Sequence, residues 1–238
     1  MKKLILTVAA LALSTGFAMA DTVRMGTEGA YPPYNFINDK GEVDGFEREL
    51  GDTLCTKAGL TCEWVTNEWD SIIPNLLSGN YDTIIAGMSI TDERKETIDF
   101  TQNYYPPAAS AYAALSEGAD LKGVIAAQVG TIQADYVAKS GATLLEFATL
   151  DDTIAAVKNG EADAVFADKD ALAPFVTEGG DLKWEGDDVP LGGGIGIGLR
   201  KSDTELKGKF DAVITEMKAD GSLNALIVKW FGDDAATF

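Results

Sequence analysis

The chain has 238 residues, and its 38 acidic against 19 basic side chains give a formal net charge of −19 at pH 7. Such an acidic chain repels phosphate backbones, so nucleic acid is not expected as a partner. The sequence contains no histidine, which excludes Ser-His-Asp and Cys-His catalysis and the common zinc sites. We therefore predict neither a metal site nor a cofactor.

The N terminus has the pattern of a cleaved export signal. Two lysines precede an apolar run over residues 4–13, which is too short to span a bilayer core of roughly 30 Å. Ala18-Met19-Ala20 then supplies the small residues of a signal-peptidase site. These features agree with one another, which favours a signal peptide over residues 1–20 rather than a buried N-terminal helix. We expect residues 21–238 to be a soluble, exported protein.

Cys55 and Cys62 are the cysteines of the chain. In an exported protein an isolated pair predicts a disulfide bond. The loop that it closes is short, so we expect the bond to stabilise the fold by about 2–3 kcal/mol. Neither cysteine lies at the cleavage point, so no lipid attachment is expected there.

Short apolar strands alternate with amphipathic helices along the exported chain, which predicts an α/β fold. Val23–Thr27 and residues 61–66 are predicted strands, and Phe46, Leu50 and Leu54 recur at the spacing of one helix face. Two further helical stripes, over residues 206–217 and 223–230, follow near the end of the chain.

One pattern occurs twice. Residues 70–86 and 152–167 each contain an acid, an apolar helix face and then the spacing G-x-x-D-x-[IV]-[IF]-A. This predicts a helix capped by Asp70 or Asp152, ended by a glycine beyond its last turn and followed by a buried strand. The repetition predicts two similar α/β lobes. Coincidence is the alternative, because the order helix, glycine, strand is common.

The ends of the two repeated strands predict a ligand site. In open α/β sheets, ligands bind beyond the carboxyl ends of the strands. Gly87 and Ser89 follow the first of these strands, and Asp168 follows the second. If the two lobes face each other, these residues converge on one cleft.

Charged side chains near these strand ends suit a zwitterion. Arg94 follows Ser89 near a helix start and could bind a carboxylate through two parallel hydrogen bonds. The alternative for Arg94 is a surface salt bridge with Asp92 or Glu96. Asp168 could pair with an ammonium group, and a role as cap of the following helix is compatible with that.

Two further segments carry candidate binding residues. Thr131 begins a helix after Gly130, and free N–H groups there could hold a carboxylate, although an ordinary strand-to-helix turn is the alternative. Glu28 and Tyr31 follow the first strand, and Trp69 precedes the first repeated helix. Two ring faces and a carboxylate suit a cationic or extended polar side chain. The alternative is that both rings only pack and the acid is solvated.

At this point the sequence resembles a known family, the polar amino-acid periplasmic binding proteins (solute-binding family 3). The resemblance covers nearly the whole exported chain and is strongest to the arginine, lysine-arginine-ornithine and opine binders, which also carry the paired cysteines. The motifs that carry it are GFEREL at 45–50, WDSIIP at 69–74, Gly79-x-x-Asp82, ITDER at 90–94 and Phe100-Thr101.

The resemblance implies a hinged two-lobed α/β fold in the periplasm. One lobe would comprise residues 21–108 and 195–238, and the other residues 109–194. The protein would be a monomer without enzymatic activity that captures a free amino acid and delivers it to an inner-membrane ABC permease.

The resemblance also implies roles for single residues. The ligand carboxylate would be held by Arg94 with the backbone of Ser89 and Thr131. The ligand ammonium would be held by Asp168 with the Gly87 carbonyl and the Ser89 hydroxyl. Tyr31 and Trp69 would sandwich the ligand side chain, and Glu28 and Gln133 would select it. Ala86 and Ile132 depart from the serine and threonine that are common there.

We expect a basic amino acid (arginine, lysine, ornithine or histidine) because Glu28 is acidic and two rings can face a cation. An opine or a neutral polar amino acid such as glutamine is the alternative ligand. A second class of function is a cyclohexadienyl dehydratase, in which Glu28 or Asp168 would act as general acid. A sensor module of a signalling receptor is disfavoured because few residues follow Trp230-Phe231-Gly232.

Overall fold

The computed structural model describes residues 22–177 and 179–238, so the predicted signal peptide, residues 1–20, lies outside the described residues. Elements are numbered in chain order. The strands are β1 (Val23–Thr27), β2 (Ala30–Tyr31), β3 (Asn35–Ile37), β4 (Val43–Asp44), β5 (Cys62–Thr66), β6 (Thr83–Ile84), β7 (Asp99–Phe100), β8 (Ala109–Ala114), β9 (Val124–Gln128), β10 (Thr143–Phe147), β11 (Ala164–Asp168), β12 (Lys183–Pro190) and β13 (Gly198–Leu199). The helices are α1 (Phe46–Ala58), α2 (Ile72–Leu77), α3 (Asp92–Thr97), α4 (Ile132–Ser140), α5 (Leu150–Lys158), α6 (Lys169–Val176), α7 (Thr204–Ala219) and α8 (Ser222–Phe231), with a short 3-10 helix at Trp69–Ser71.

The predicted two-lobed α/β fold is confirmed, because the strands form two separate five-stranded sheets. Lobe one carries the sheet of order β5-β1-β6-β13-β7, in which β1 runs parallel to β5 and β6 and β13 runs antiparallel to β6 and β7. Lobe two carries the sheet of order β10-β9-β11-β8-β12, with β9 parallel to β10 and β11. A small three-stranded sheet, β2-β3-β4, adds to lobe one.

The chain crosses between the lobes twice, once between β7 and β8 and once between β12 and β13. The two crossing segments run side by side, because Tyr105 and Ile195 form an antiparallel bridge and the Ile195 N–H donates to the Tyr105 carbonyl at 3.0 Å. Two adjacent crossings of this kind are suited to a hinge. The lobe boundaries at 108/109 and 194/195 stay predictions.

Buried aromatic rings fill the core of lobe one beside this crossing. Tyr34, Phe46 and Tyr105 pack around Phe231 of α8, with ring centroids 4.7, 5.2 and 4.8 Å from it. Phe46 belongs to the predicted helix face of α1, and its partners on that face, Leu50 and Leu54, are also fully buried. The helical spacing therefore identified the packed face of α1 correctly.

The predicted disulfide bond is present between Cys55 and Cys62, with a Cα–Cα distance of 6.2 Å. It joins the last turn of α1 to the start of β5. The bond therefore fastens a helix to the edge strand of the lobe-one sheet.

The repeated helix–glycine–strand unit is present in both lobes, but its predicted caps are wrong. Thr149 caps α5, and its hydroxyl accepts the Asp152 N–H at 3.2 Å, so Asp152 lies inside the first turn. Asp70 lies in the 3-10 helix that precedes α2, and no side chain caps α2. The predicted glycines do end the units, since Gly79 and Gly160 are left-handed with φ of +79° and +75°.

None of the helices in the described part of the chain combines the length and the apolar character that a membrane span requires.

Candidate ligand-binding site

A cavity lies between the two lobes and contains about 290 Å³ of empty space, including space open to solvent. All of the predicted ligand-binding residues line it, and Ala86, Gln128 and Ile132 complete the wall. The lining residues are Glu28, Tyr31, Trp69, Ala86, Gly87, Ser89, Arg94, Gln128, Thr131, Ile132, Gln133 and Asp168.

Strand ends and helix starts from both lobes place these residues. Glu28 follows β1, Gly87 follows β6 and Asp168 is the last residue of β11, so each stands at the carboxyl end of a strand. Thr131 is the cap of α4, and its hydroxyl accepts the Ala134 N–H at 3.1 Å. The general rule for ligands of α/β sheets therefore located this cleft from the sequence.

The Arg94 guanidinium lies at one end of the cavity, in the first half of α3. Its Nη1 donates to the Ser89 carbonyl at 2.8 Å, and its Nη2 donates to the Gly130 carbonyl at 3.2 Å. The guanidinium carbon Cζ lies 5.4 Å from the centre of the Trp69 ring. Burial lowers the pKa of Arg94, and the charge of Asp168 opposes that effect. Arginine nevertheless stays protonated in proteins, so this end of the cavity is cationic.

The alternative of a surface salt bridge for Arg94 does not hold in the described part of the chain, where Arg94 pairs with neither Asp92 nor Glu96. Asp92 instead pairs with Lys95 at 3.5 Å.

The Asp168 carboxylate is held by two neutral donors. The Tyr31 hydroxyl donates to Oδ2 at 2.7 Å, and the Gln133 amide donates to Oδ1 at 2.9 Å. Asp168 occupies the cap position of α6, but its side chain makes no capping hydrogen bond. Burial raises the pKa of Asp168 to about 6, and Asp170 adds to that, while Tyr31, Arg94 and Gln133 lower it.

Glu28 lies in the cavity without a basic partner among the described residues. Its Oε1 accepts a hydrogen bond from the Gln128 amide at 2.6 Å, and that amide also donates to the Ala148 carbonyl at 2.9 Å. Burial raises the pKa of Glu28 to about 7; the Gln128 hydrogen bond lowers it, and the charges of Glu47 and Asp151 raise it further. A cation brought to Glu28 would relieve this cost of burying a carboxylate.

The lobes touch each other directly across the cavity. Tyr31 to Asp168, Gln128 to Glu28 and Arg94 to Gly130 are all hydrogen bonds between residues of different lobes. The cleft is therefore closed, and a ligand in the cavity would be surrounded by both lobes.

Sequence reasoning missed Gln128 as a cavity residue. Gln128 is the last residue of β9, so the rule that pointed to Asp168 at the end of β11 could also have found it. Gln133 was expected to select the ligand side chain, but its amide donates to Asp168 and to the Ser110 hydroxyl, the latter at 3.0 Å. Its role toward a ligand side chain stays a prediction.

The charges of the lining decide what the cavity can bind. One guanidinium faces two carboxylates, so a zwitterion leaves one negative charge without a partner, whereas a zwitterion with a further cationic group neutralises all three. Arginine binds carboxylates through parallel hydrogen bonds, and rings such as those of Tyr31 and Trp69 attract cations.

Comparison with known proteins identifies the family. The family model of the bacterial extracellular solute-binding proteins, family 3, matches residues 23–233. The chain belongs to this family. The match spans both lobes, so the family assignment covers the cavity as well as the sheets that carry it.

Two relatives and one solved structure are similar to this chain over nearly their whole length. The L-arginine-binding protein of Pseudomonas aeruginosa is 35% identical over 98% of this chain and 98% of that protein. The lysine/arginine/ornithine-binding periplasmic protein of Escherichia coli is 31% identical over 97% of each chain. A periplasmic His/Glu/Gln/Arg/opine family-binding protein from Silicibacter pomeroyi, solved in complex with lysine, is 76% identical over 91% of this chain and 100% of that chain, with a TM-score of 0.90.

Proposed function

We propose that the protein is the periplasmic substrate-binding component of an ABC amino-acid transporter and that it binds a basic L-amino acid between its lobes. The observation that carries this proposal is the charge of the cavity, in which Glu28 remains without a partner once Arg94 and Asp168 hold the two ends of a zwitterion. The names of the relatives, which include arginine and lysine binders, point to the same class of ligand.

Each residue has a proposed task. Arg94, with the backbone of Ser89 and Thr131, binds the α-carboxylate, and Asp168 with the Gly87 carbonyl and the Ser89 hydroxyl binds the α-ammonium. The rings of Tyr31 and Trp69 enclose the aliphatic part of the side chain. Glu28 receives the terminal cation. On binding, these fixed protein groups take the place of the water molecules that solvate the free amino acid.

Closure of the lobes about the two crossing segments completes the site. Residues 21–108 and 195–238 form one moving body in this proposal, and residues 109–194 form the other. A ligand drives closure because its groups find partners from both lobes only in the closed form. The closed form would then deliver the amino acid to an inner-membrane permease.

A thermal-shift screen of the twenty amino acids and of opines tests the ligand class. A ligand that binds only the folded protein stabilises it by RT ln(1 + [L]/Kd), which is about 2.7 kcal/mol at a hundredfold excess over Kd. The melting temperature rises accordingly. We expect lysine, arginine and ornithine to give the largest shifts. Larger shifts with glutamine or an opine than with any basic amino acid would refute the ligand class.

A binding role without catalysis is the second part of the proposal. Incubation of the protein with prephenate or arogenate should leave both compounds unchanged, and a basic amino acid should be recovered intact after saturating the protein. Product formed from either cyclohexadienyl acid would instead support the dehydratase alternative, in which Glu28 or Asp168 donates a proton.

A further inference from the structure

Glu47 is a fully buried acid of α1 that does not line the cavity. Its Oε1 accepts the Gly87 N–H at 2.6 Å and also the Tyr104 hydroxyl, and its Oε2 accepts the Asn35 amide at 2.7 Å. Burial raises the pKa of Glu47, and these three donors oppose that effect. A buried carboxylate costs stability unless its oxygens are hydrogen-bonded, so these donors offset part of the cost of burying Glu47.

The first donor belongs to the cavity wall. Gly87 has a left-handed backbone with φ of +62°, and a Cβ at this position would lie 3.4 Å from the ring of Tyr31. Because a trans peptide is planar, fixing the Gly87 N–H also fixes the opposed Ala86 carbonyl, and the turn at Gly87 sets the direction of the next carbonyl. Glu47 thus orients the peptide groups between β6 and Ser89.

The Asn35 amide, which donates to Oε2, connects Glu47 to the backbone beside Glu28. Asn35 is fully buried, and its Oδ1 accepts the Gly29 N–H at 2.7 Å while its amide nitrogen donates to Glu47. Gly29 adjoins Glu28, so the hydrogen-bond chain from Glu47 fixes the backbone beside the acid that faces the ligand side chain. The third donor, Tyr104, has its backbone N–H on the Ile195 carbonyl of the returning crossing segment, at 2.8 Å.

We propose that Glu47 is a positioning residue for ligand binding. Its single carboxylate holds the Ala86–Gly87 peptide, which directly precedes the Gly87 carbonyl proposed for the ligand ammonium. Through Asn35 it also holds the Glu28–Gly29 peptide, which directly follows the acid proposed for the ligand side chain. This inference rests on the proposed function, because the groups that it positions are those assigned to a basic amino acid.

The substitution Glu47→Gln tests the inference with almost no change in volume. A glutamine has one acceptor oxygen and one donor nitrogen, so it cannot accept from both Gly87 and Asn35 as the carboxylate does. Glu49→Gln is the matched control on the same helix, because Glu49 binds Lys229 and Trp230 away from the cavity. Binding is measured by NMR titration with L-lysine, with 6-aminohexanoate, which lacks the α-ammonium, and with L-norleucine, which lacks the side-chain ammonium.

We expect Glu47→Gln to weaken L-lysine binding about tenfold, while Glu49→Gln leaves the dissociation constant unchanged. At least one of the two truncated probes, 6-aminohexanoate or L-norleucine, should lose at least about threefold less affinity than lysine. That probe lacks the ammonium group that the displaced backbone segment would serve. Equal losses for all three compounds would indicate a purely structural role and would overturn the inference. An unchanged dissociation constant for lysine would overturn it too.

A measurement on the wild-type protein covers the case in which Glu47→Gln does not fold. Hydrogen exchange of the Gly87 and Gly29 amides should be slow before any ligand is added, because Glu47 and Asn35 already hold them. Fast exchange that becomes slow only with ligand would contradict positioning by Glu47. A wild-type protein that binds no amino acid would refute the proposed function, whereas slow exchange at both glycines would still support the positioning.

Discussion

Replacement of Glu28 by glutamine separates the charge of this residue from its shape. The Gln128 amide that donates to Glu28 Oε1 at 2.6 Å can donate equally to an amide oxygen, so the contact between the lobes survives. The substitution removes only the charged partner of the ligand cation. A hydrogen bond to a charged group contributes about 1.5–3 kcal/mol, so we expect lysine and arginine to bind about 10- to 150-fold more weakly.

Isothermal titration calorimetry with lysine, arginine and glutamine measures this effect. Glutamine has no side-chain cation, so its dissociation constant should change less than about threefold in Glu28→Gln. Glu63→Gln is the matched control, because Glu63 is an exposed residue of β5 and its substitution changes the net charge equally. Equal losses for lysine and glutamine would refute the assignment of Glu28 to the ligand cation.

The pH dependence of the same variant gives an independent check. The pKa of Glu28 is raised to about 7, mainly by burial. Lysine favours the ionised form, so its binding is strongest above pH 7 and weakens as the pH falls through 7, by up to about tenfold per unit. This slope should vanish in Glu28→Gln. The pKa of Asp168 is about 6, so every ligand with an α-ammonium should weaken below pH 6 in both proteins.

Three further predictions concern the binding of the carboxylate, the disulfide bond and the export signal. Arg94→Ala leaves the ligand carboxylate without its charged partner, so calorimetry should show at least about a hundredfold loss for every amino acid. Arg48→Ala, at a half-buried arginine of α1 that does not line the cavity, should show none. Joint replacement of Cys55 and Cys62 by alanine should lower the free energy of unfolding by about 2.5 kcal/mol in a urea titration, because the bond closes a loop with a sequence separation of 7. Mass spectrometry of the exported protein should find Asp21 as its first residue, because Ala18-Met19-Ala20 provides the cleavage site.

Each of these three has a contradicting result. Wild-type affinity of Arg94→Ala for any amino acid would refute the assignment of Arg94 to the ligand carboxylate. Unfolding that is unaffected by loss of the disulfide would mean that α1 and β5 are already fixed by packing. A mature N terminus elsewhere than Asp21 would show that the predicted cleavage site is wrong.

Local patterns predicted the parts of the fold that depend on near neighbours. The bounds of β1 agree with the sequence prediction at Val23–Thr27, and the packed face of α1 followed from the spacing of Phe46, Leu50 and Leu54. Helix starts were less predictable, because Thr149 and Asp152 can both accept a backbone N–H and spacing alone does not decide between them. The start of α2 was equally hard to predict, because a 3-10 helix over Trp69–Ser71 precedes it.

The cavity was predictable where strand ends identify it and not where contacts cross the cleft. Glu28, Gly87 and Asp168 each follow a predicted strand, so their convergence could be expected. Gln128 reaches Glu28 from 100 residues away in the sequence, and no local pattern reports that contact. Glu47 was also missed. It directly follows Phe46 of the packed face of α1, and an acid in an amphipathic helix is ordinarily expected to be exposed.

The contact between Glu28 and Gln128 has a kinetic consequence, because its two partners lie on different lobes. An amino acid that enters between open lobes meets Glu28 without the Gln128 wall, so the full set of contacts that distinguishes cationic from neutral compounds forms only when the lobes close. Selection then takes place after capture, as a difference in residence time. We expect the preferred amino acid to be recognised chiefly by how slowly it escapes, as is common among related complexes.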